Sequence, residues 1–216
     1  MKNVFTFLLL LFSLLCNGQS PKLFTTDKEL SSSLINQIYQ DRNGFIWIAT
    51  EDGLNRYDGA KFTIYKHEPN NEHSLAHNFV RTVFEDSKGH LLIGTYIGIQ
   101  MYDPGTDNFT PLAKLEDTGE TLESNINSFI ERKNGEIWVS GNVLCKLDIK
   151  DHLLTVRKVD IAVTSPGSLF EDKKQNVWMA KGEEGVYQLT PDNQLTLHLS
   201  KDNGYVKSIC EDQRGN

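Results

Sequence analysis

Acidic side chains recur at one position along the chain, at Glu85, Glu131, Glu171 and Glu211. Two carboxylates that face one another can serve as the acid and the base of a glycosidase. A catalytic pair is needed only once, however, whereas these residues return at regular intervals beside a turn sequence. The recurrence therefore favours a structural role in a repeated unit, and the sequence predicts no catalytic residue.

A second group with suitable chemistry, in this case for a metal site, lies between residues 67 and 77. It consists of His67, Glu68, Glu72, His73 and His77. The spacing differs from the H-E-x-x-H of a zinc-binding helix, and the proline and asparagines within it indicate a loop. The chain also lacks the G-x-S-x-G and G-x-x-x-x-G-K-[ST] motifs of serine nucleophiles and phosphate loops. We therefore predict neither a metal nor a cofactor.

The recurring acids belong to a longer repeat. Its copies are QDRNGFIWIAT, EDSKGHLLIGT, ERKNGEIWVSG and EDKKQNVWMAK, and a further copy begins with EDQRGN. One position of the repeat is occupied in turn by Trp47, Leu92, Trp138 and Trp178. Counted from it, the copies are spaced by roughly 40 to 50 residues, the period of propeller blades. Because these four side chains lie in apolar runs, we predict that they pack between blades and do not stack on a sugar.

The interior of each repeat predicts four short strands. In the first copy a wholly apolar strand, Phe45 to Ala49, follows a turn rich in Asp, Asn and Gly, and further strands run through Leu54 to Asp58 and Phe62 to Thr63. Such turns are typical of hairpins, and an apolar strand buried on both faces indicates a sheet between two other sheets. We predict an all-β fold, a β-propeller of four-stranded antiparallel blades. The ring is expected to be incomplete in this fragment, because the repeats stop within the fifth copy.

The sequence pattern divides the chain into three parts. Residues 1–18 are interpreted as a signal peptide, because Lys2 precedes an apolar run shorter than the about 20 residues that cross a bilayer. Cleavage before Gln19 and lipidation of Cys16 both stay open. Residues 19–33 are a lead-in and a possible ring-closing strand. The blades are predicted at about 34–74, 75–124, 125–164 and 165–204, with the start of a fifth at 205–216, so that the propeller spans 34–216.

Charge and cysteine content exclude several classes of protein. The formal net charge is -7, with 22 Lys and Arg against 29 Asp and Glu, and no basic run is present. Nucleic acids and anionic membrane surfaces require concentrated positive charge, so neither is an expected partner of this region. Export would leave Cys145 and Cys210 in the mature chain, and the sequence leaves open whether they are free thiols or a disulfide.

Ligand contact is predicted at one end of the propeller. In a four-stranded blade, the turn between the second and third strands lies at the same end as the connector to the next blade. These loops differ from copy to copy, and their carboxylates, amides and aromatic rings suit a hydroxyl-rich ligand. The candidate ligand-binding residues are Asp52, Tyr96, Asn142, Glu184, His77 and Asn78.

The repeats resemble a known family. The stretch 35–86 is similar to the two-component regulator propeller repeat, above all in the pattern D-x-x-G-x-I-W-I-x-T-x-x-G-L-x-x-Y-D at 41–58, and the likeness covers 34–216. Later copies depart from the family's pattern at three positions. Leu92 replaces the usual Trp, Arg132 replaces the turn Asp, and Gln175 replaces the turn Gly.

The resemblance implies the periplasmic sensor region of a hybrid two-component system. In such proteins two seven-bladed propellers and a further β-domain precede a membrane span, a histidine kinase, a receiver and a DNA-binding output. We therefore expect an exported, non-enzymatic sensor of an oligosaccharide or other small ligand, which regulates glycan-utilisation genes by phosphorelay. The full-length protein is expected to be an inner-membrane homodimer that meets the membrane through later segments. The alternatives are a secreted single-propeller lyase or glycosidase, and a protein-interaction scaffold.

Overall fold

A computed structural model describes residues 23–26, 29–200, 206–212 and 214. The predicted signal peptide, 1–18, lies outside them. The described chain contains seventeen strands and no helix. In chain order they are β1 (Ile35–Gln40), β2 (Ile46–Thr50), β3 (Gly53–Tyr57), β4 (Phe62–Tyr65), β5 (Val80–Glu85), β6 (Leu91–Thr95), β7 (Ile99–Asp103), β8 (Asn108–Phe109), β9 (Lys114–Leu115), β10 (Ser128–Glu131), β11 (Ile137–Ser140), β12 (Leu144–Lys150), β13 (Leu153–Lys158), β14 (Leu169–Glu171), β15 (Val177–Ala180), β16 (Gly185–Leu189) and β17 (Leu195–Ser200).

The strands form four sheets, each an antiparallel meander of consecutive strands. They are β1–β4, β5–β8, β10–β13 and β14–β17, and we call them blades one to four. The first strands of successive blades, β1, β5, β10 and β14, are neighbours and surround a common axis. The prediction of a propeller with four-stranded blades and an open ring is confirmed for the described residues. The limits assigned to the parts of the chain stay predictions.

Blade three differs from the others by one strand. The connector from blade two folds back after the short strand β8, and its segment β9 pairs in parallel with β13, Lys114 opposite Thr155. The Glu116 amide then donates to the Val156 carbonyl at 2.9 Å. The connector therefore occupies the outer edge of blade three, where an unpaired strand would otherwise expose its backbone groups.

The hydrophobic core lies between neighbouring blades. Leu92 and Met101 of blade two pack with Phe129 and Val139 of blade three, and comparable clusters join blades one and two, and blades three and four. The second strands are buried on both faces, as their apolar sequences predict. Burial at these interfaces is the main stabilising term available to a stack of small sheets.

Close approach between blades explains why the second strand ends in a small residue. At Gly94 an added Cβ would lie 2.6 Å from the Ile126 methyl group and 2.6 Å from that of Thr82. Ala49, Ser140 and Ala180 occupy the same position in the other blades and are fully or almost fully buried. A larger side chain would separate the blades or displace the axial strand.

The first hairpin turn of each blade keeps its geometry even where the sequence departs from the repeat. Gly44 has a φ of 88° and its amide donates to the Asp41 carbonyl at 3.0 Å. Gln175 takes the same place in blade four with a φ of 67°, and its amide donates to the Asp172 carbonyl at 3.0 Å. A side chain in this left-handed region carries a cost that glycine avoids. The surrounding blade therefore imposes the turn on a less suitable residue.

Residues before and after the four blades pack against them. Leu30 is buried, and the Ser31 amide donates to Asn55 Oδ1 in blade one at 2.9 Å. At the other end, the Val206 amide donates to the Gly182 carbonyl of blade four at 3.0 Å. The predicted ring-closing role of 19–33 is not tested. No helix of the described chain is long and apolar enough to cross a membrane.

Candidate functional site

The two ends of the propeller carry different kinds of polar residue. We call one the hairpin end; it holds the turns between first and second strands, at 41–44, 86–89, 132–135 and 172–175. We call the other the loop face; it holds the turns between second and third strands and the connectors between blades. The candidate ligand-binding residues all lie at the loop face.

At the hairpin end, the recurring acids join each blade to the one before it. Glu85 of blade two accepts from the Arg42 amide of blade one at 2.8 Å. Glu131 accepts from the Ser87 amide at 2.6 Å, and Glu171 accepts from the Lys133 amide at 2.7 Å. Glu211 follows the same pattern with the Lys173 amide at 3.2 Å. These hydrogen bonds give the acids a structural role between blades.

The aspartates of the turns hold the neighbouring indoles. Asp41 Oδ2 accepts from Trp47 Nε1 at 2.8 Å, while its Oδ1 accepts from the Asn43 and Phe45 amides. Asp172 Oδ2 accepts from Trp178 Nε1 at 2.8 Å. Burial alone would raise the pKa of Asp172, but the hydrogen bonds from Trp178, Asn176 and backbone amides outweigh it and lower that pKa.

The repeated Trp or Leu position is a packing position. Trp47 stacks on Tyr65 with ring centres 5.9 Å apart, and Leu92 is completely buried. Trp138 is 4% exposed and lies under the Arg132 guanidinium, 4.6 Å from ring to Cζ. Trp178 is half-buried on blade four beside His198. Trp47, Leu92 and Trp138 thus belong to the hydrophobic clusters between blades, whereas Trp178 is only half-buried.

A further charged network, partly exposed to solvent, also belongs to the hairpin end. Asp107 accepts from Tyr65 Oη at 2.6 Å and from Arg56 Nη1 at 2.9 Å, and Arg56 also donates to Tyr102 Oη. Burial works to raise the pKa of Asp107, yet the tyrosine hydroxyls and the guanidinium outweigh it and lower that pKa. Burial, with the hydrogen bond to Asp107, raises the pKa of Tyr65. These groups satisfy one another and hold blades one and two together.

Two of the predicted loop residues lie in contact but are occupied by other protein groups. Asp52 forms an ion pair with Lys66 Nζ at 2.6 Å and accepts from Asn78 Nδ2 at 3.1 Å. Asn78 Oδ1 also accepts from the His67 amide at 2.7 Å. The expected proximity of turn and connector is therefore present. These contacts fasten the loops of blades one and two.

Two other predicted residues line a lateral cleft, and a third, His77, lies beside one of them. The rings of His77 and Tyr96 are 5.5 Å apart, and Tyr96 is exposed. Tyr96 and Asn142 line a cleft of about 610 Å³ together with Asn125. Asn125 Oδ1 is buried there and has no hydrogen-bond partner among the described residues. The cleft thus joins Tyr96 to Asn142 across two blades, and Asp52 is not among its lining residues.

A polar concavity of the loop face lies on the propeller axis. This axial cavity has a volume of about 810 Å³ and is lined by the beginnings of the first strands, the blade-four connector and the turn that carries Glu184. Glu184 pairs with Lys181 Nζ at 2.6 Å. The axial side chains are Asn36, Gln37, Arg81, Thr82, Asn127, Ser128, Ser168, Lys207 and Ser208. Ligand pockets commonly have volumes of about 300 to 1,000 Å³, so this cavity has the size of a small oligosaccharide site.

Hydrogen bonds connect the axial residues from blade to blade. Asn36 Nδ2 donates to the Val80 carbonyl at 2.8 Å, and Gln37 Oε1 accepts from the Val83 amide at 2.6 Å. Asn127 Nδ2 donates to the Pro166 carbonyl at 3.0 Å. These bonds fix the axial amides before any ligand arrives, which reduces the entropy cost of binding.

Among the axial residues, only Glu184 was a candidate on sequence grounds. A signal for the others is present in the repeats, because two non-apolar residues interrupt the apolar first strand of the copies: NQ at 36–37, RT at 81–82, NS at 127–128, GS at 167–168 and KS at 207–208. A first strand that faces the axis of a propeller has one side towards water. The interruption therefore marks the residues that line the axis.

The histidines between residues 67 and 77 serve the loop in which they lie. His67 Nδ1 is 2.8 Å from the Leu75 carbonyl oxygen, and His73 Nδ1 is 3.2 Å from that of Phe109. No group of three or more His, Cys, Asp or Glu side chains in the described chain is arranged to hold a metal ion. Cys145 is buried and Cys210 is exposed, and both are free thiols.

The family comparison agrees with the repeat. The model of the two-component regulator propeller family matches residues 29–52 and 74–96. A histidine kinase of Formosa agariphila is 37% identical over 83 residues, which are 35% of this chain and 6% of that protein. The chain thus spans only a small part of this relative.

Solved structures share the propeller architecture. The extracellular domain of BT4673 from B. thetaiotaomicron, assigned to a hybrid two-component system, superposes with a TM-score of 0.72 at 19% identity, over 92% of this chain and 30% of that one. A gluconolactonase of Xanthomonas campestris gives a TM-score of 0.60 at 14% identity, over 84% of this chain and 66% of that one. At such identities the likeness shows the fold alone, since one fold supports many activities.

Proposed function

We propose that the chain is part of the ligand-sensing, extracytoplasmic region of a hybrid two-component sensor. The matched family repeat, the identity to a histidine kinase and the likeness to the extracellular domain of a two-component system support this role. The axial cavity is the single observation that carries ligand binding. Its hydroxyl and amide side chains come from successive blades and suit the hydroxyl groups of an oligosaccharide.

In the proposed mechanism the ligand acts by differential affinity. It binds one arrangement of the propellers in a homodimer more tightly than another, and thereby biases a kinase on the far side of the inner membrane. The kinase then starts a phosphorelay that controls glycan-utilisation genes. This region lies in the periplasm and contacts neither nucleic acid nor membrane.

A secreted lyase or glycosidase and a protein-interaction scaffold are the alternatives. The likeness to a gluconolactonase is a likeness of fold, which carries no activity by itself. The hairpin-end acids that could have formed a catalytic pair are bound to backbone amides of the preceding blades. The sensor proposal therefore has more specific support.

Binding to a panel of oligosaccharides, measured by isothermal titration calorimetry, tests the proposal. We expect at least one oligosaccharide to bind, and Asn36→Ala with Asn127→Ala to weaken it at least tenfold by removing hydrogen bonds in the axial cavity. Tyr96→Ala with Asn142→Ala tests the lateral cleft in parallel. Lys88→Ala, an exposed hairpin-end residue, is the matched control. Binding that survives both double variants, in proteins with unchanged folding, would contradict a loop-face site.

A further inference from the structure

Arg81 is the axial residue whose charge has no counterpart. Arg42, Arg56 and Arg132 each lie within 3 Å of a carboxylate oxygen, whereas no carboxylate of the described chain forms an ion pair with Arg81. Arg81 Nη1 donates to Asn127 Oδ1 at 2.8 Å. Its Nε is buried and has no hydrogen-bond partner among the described residues. Buried polar groups are almost always satisfied, so the unpaired Nε shows that the described residues leave part of this guanidinium's hydrogen-bonding capacity unused.

The cavity around Arg81 is electropositive in a protein of net charge -7. Its charged lining residues are Arg81, Lys181 and Lys207 against the single carboxylate of Glu184. That carboxylate is already paired with Lys181. Lys207, like Arg81, has no ion pair within the described part of the chain. Two uncompensated cations facing one cavity attract an anion, and the acidic remainder of the protein does not supply it.

The geometry of Arg81 narrows the chemistry of that anion. The guanidinium lies over the Phe79 ring at 5.6 Å, which restricts its orientation, and the bond to Asn127 holds one Nη. A planar guanidinium held in this way favours oxyanions that accept two parallel hydrogen bonds, such as a carboxylate or a sulfate. Apart from Lys181, Glu184 and Lys207, the remaining lining is neutral, with the hydroxyl and amide groups that suit a sugar.

We propose that the axial cavity binds an acidic oligosaccharide, whose carboxylate or sulfate group pairs with Arg81. This inference rests on the proposed function, since it names the class of ligand for the same site. Lys207 contributes charge at the other side of the cavity, and the axial amides contact the sugar hydroxyls. A neutral oligosaccharide of equal length would leave the guanidinium without an acceptor and bind more weakly.

Three trisaccharides of equal length test the ligand class in the purified protein. They are a trigalacturonate, a sulfated galactotriose and neutral galactotriose, titrated calorimetrically at low and moderate salt. We expect one of the acidic sugars to bind, more weakly as salt rises, and the neutral sugar to bind at least tenfold more weakly. The preference between the first two sugars distinguishes a carboxylate ligand from a sulfate ester.

Variants of Arg81 then identify the contact. Arg81→Met should weaken acidic-sugar binding at least tenfold, and Arg81→Lys should retain part of it, because charge is kept while the planar fork is lost. Lys88→Met at the hairpin end removes one exposed charge and serves as the matched control. Unchanged affinity in Arg81→Met, or equal affinity for neutral galactotriose, would overturn the proposal.

A titration with inorganic sulfate makes the result independent of the choice of sugar. Wild-type protein should show saturable heat of sulfate binding that is absent in Arg81→Met, and the absence of a difference would overturn the anion site. Neutral-sugar binding that is unaffected by Arg81→Met would uphold the proposed function while contradicting this inference. Sulfate binding without binding of any oligosaccharide would uphold the anion site and contradict the sugar-sensing role.

Discussion

The hairpin end and the loop face are built from the same repeat, yet their charged side chains have different partners. At the hairpin end the acids bind backbone amides or arginines of the adjoining blade, or an indole of their own blade. At the loop face the axial Arg81 has a single hydrogen bond from its side chain and no ion pair within the described residues. Recurring charges thus hold the blades together, whereas the charge of Arg81, which occurs once and has no ion pair within the described residues, supports the binding position proposed above.

The carboxyl groups whose pKa is lowered also lie at or near the hairpin end. Five carboxyls with a lowered pKa lie at the hairpin end or in the neighbouring turns between third and fourth strands: Asp58, Asp103, Asp107, Glu136 and Asp172. For Glu136, the hydrogen bond from Lys146 Nζ at 2.6 Å is the largest cause, and its pKa falls to about 2. These groups are stabilised in their charged form by the fold itself.

Removing one arginine from each end should give the largest difference between the two ends in the free energy of unfolding. Arg132→Met leaves the Glu171 carboxylate, which is 7% exposed, without its cation between blades three and four. We expect the free energy of unfolding to fall by about 3 kcal/mol, as is typical when one partner of a buried pair is lost. Arg81→Met should lower it by only about 1 kcal/mol, because one hydrogen bond to Asn127 is lost but no ion pair is broken. Urea denaturation followed by tryptophan fluorescence measures both, and equal losses would contradict the distinction between the two ends.

Removing one aspartate from each end should give a smaller difference in the free energy of unfolding. Asp86 accepts from the Lys88 and His90 amides at 3.0 and 2.8 Å and is 3% exposed. Asp86→Ala should lower the free energy of unfolding by about 2 kcal/mol, because two backbone amides lose the acceptor that this buried carboxylate provides. Asp52→Ala, which breaks a half-exposed ion pair with Lys66, should cost less than about 1 kcal/mol. The same denaturation experiment compares them, and a larger loss in Asp52→Ala would reverse the assignment of the ends.

The smallest expected effect is on how steeply the stability of the protein falls at low pH. The pKa of Asp172 is lower in the folded protein than in the unfolded chain, so its contribution is fully present above the unfolded value of about 4. It is lost as the pH falls through the folded pKa. Asp172→Asn should therefore show a shallower decline in stability below roughly pH 4, measured by circular dichroism during thermal unfolding. Arg81→Met, which leaves every carboxyl in place, is the control, and an unchanged decline in stability at low pH in Asp172→Asn would contradict the prediction.

The repeat itself predicted much of the fold and less of the site. The blades, their strand order and the packing role of Trp47 could be predicted because each blade shows the same alternation of turn residues and apolar runs. The loop-face candidates were found by position, but Asp52 proved to be held by Lys66 and Asn78. Arg81 was missed because in sequence it is an ordinary polar residue in a strand.

The sequence by itself determined a propeller of four-stranded blades, since the period, the turns and the apolar second strands are local properties that repeat. Only the tertiary structure decided which side chains meet, because the decisive contacts join residues about one repeat apart. Glu85 meets Arg42, Glu171 meets Arg132, and Arg81 meets Asn127 across such separations. A repeating pattern shows what each blade contains, whereas the angle between blades decides which polar groups pair and which one faces the axis without a partner.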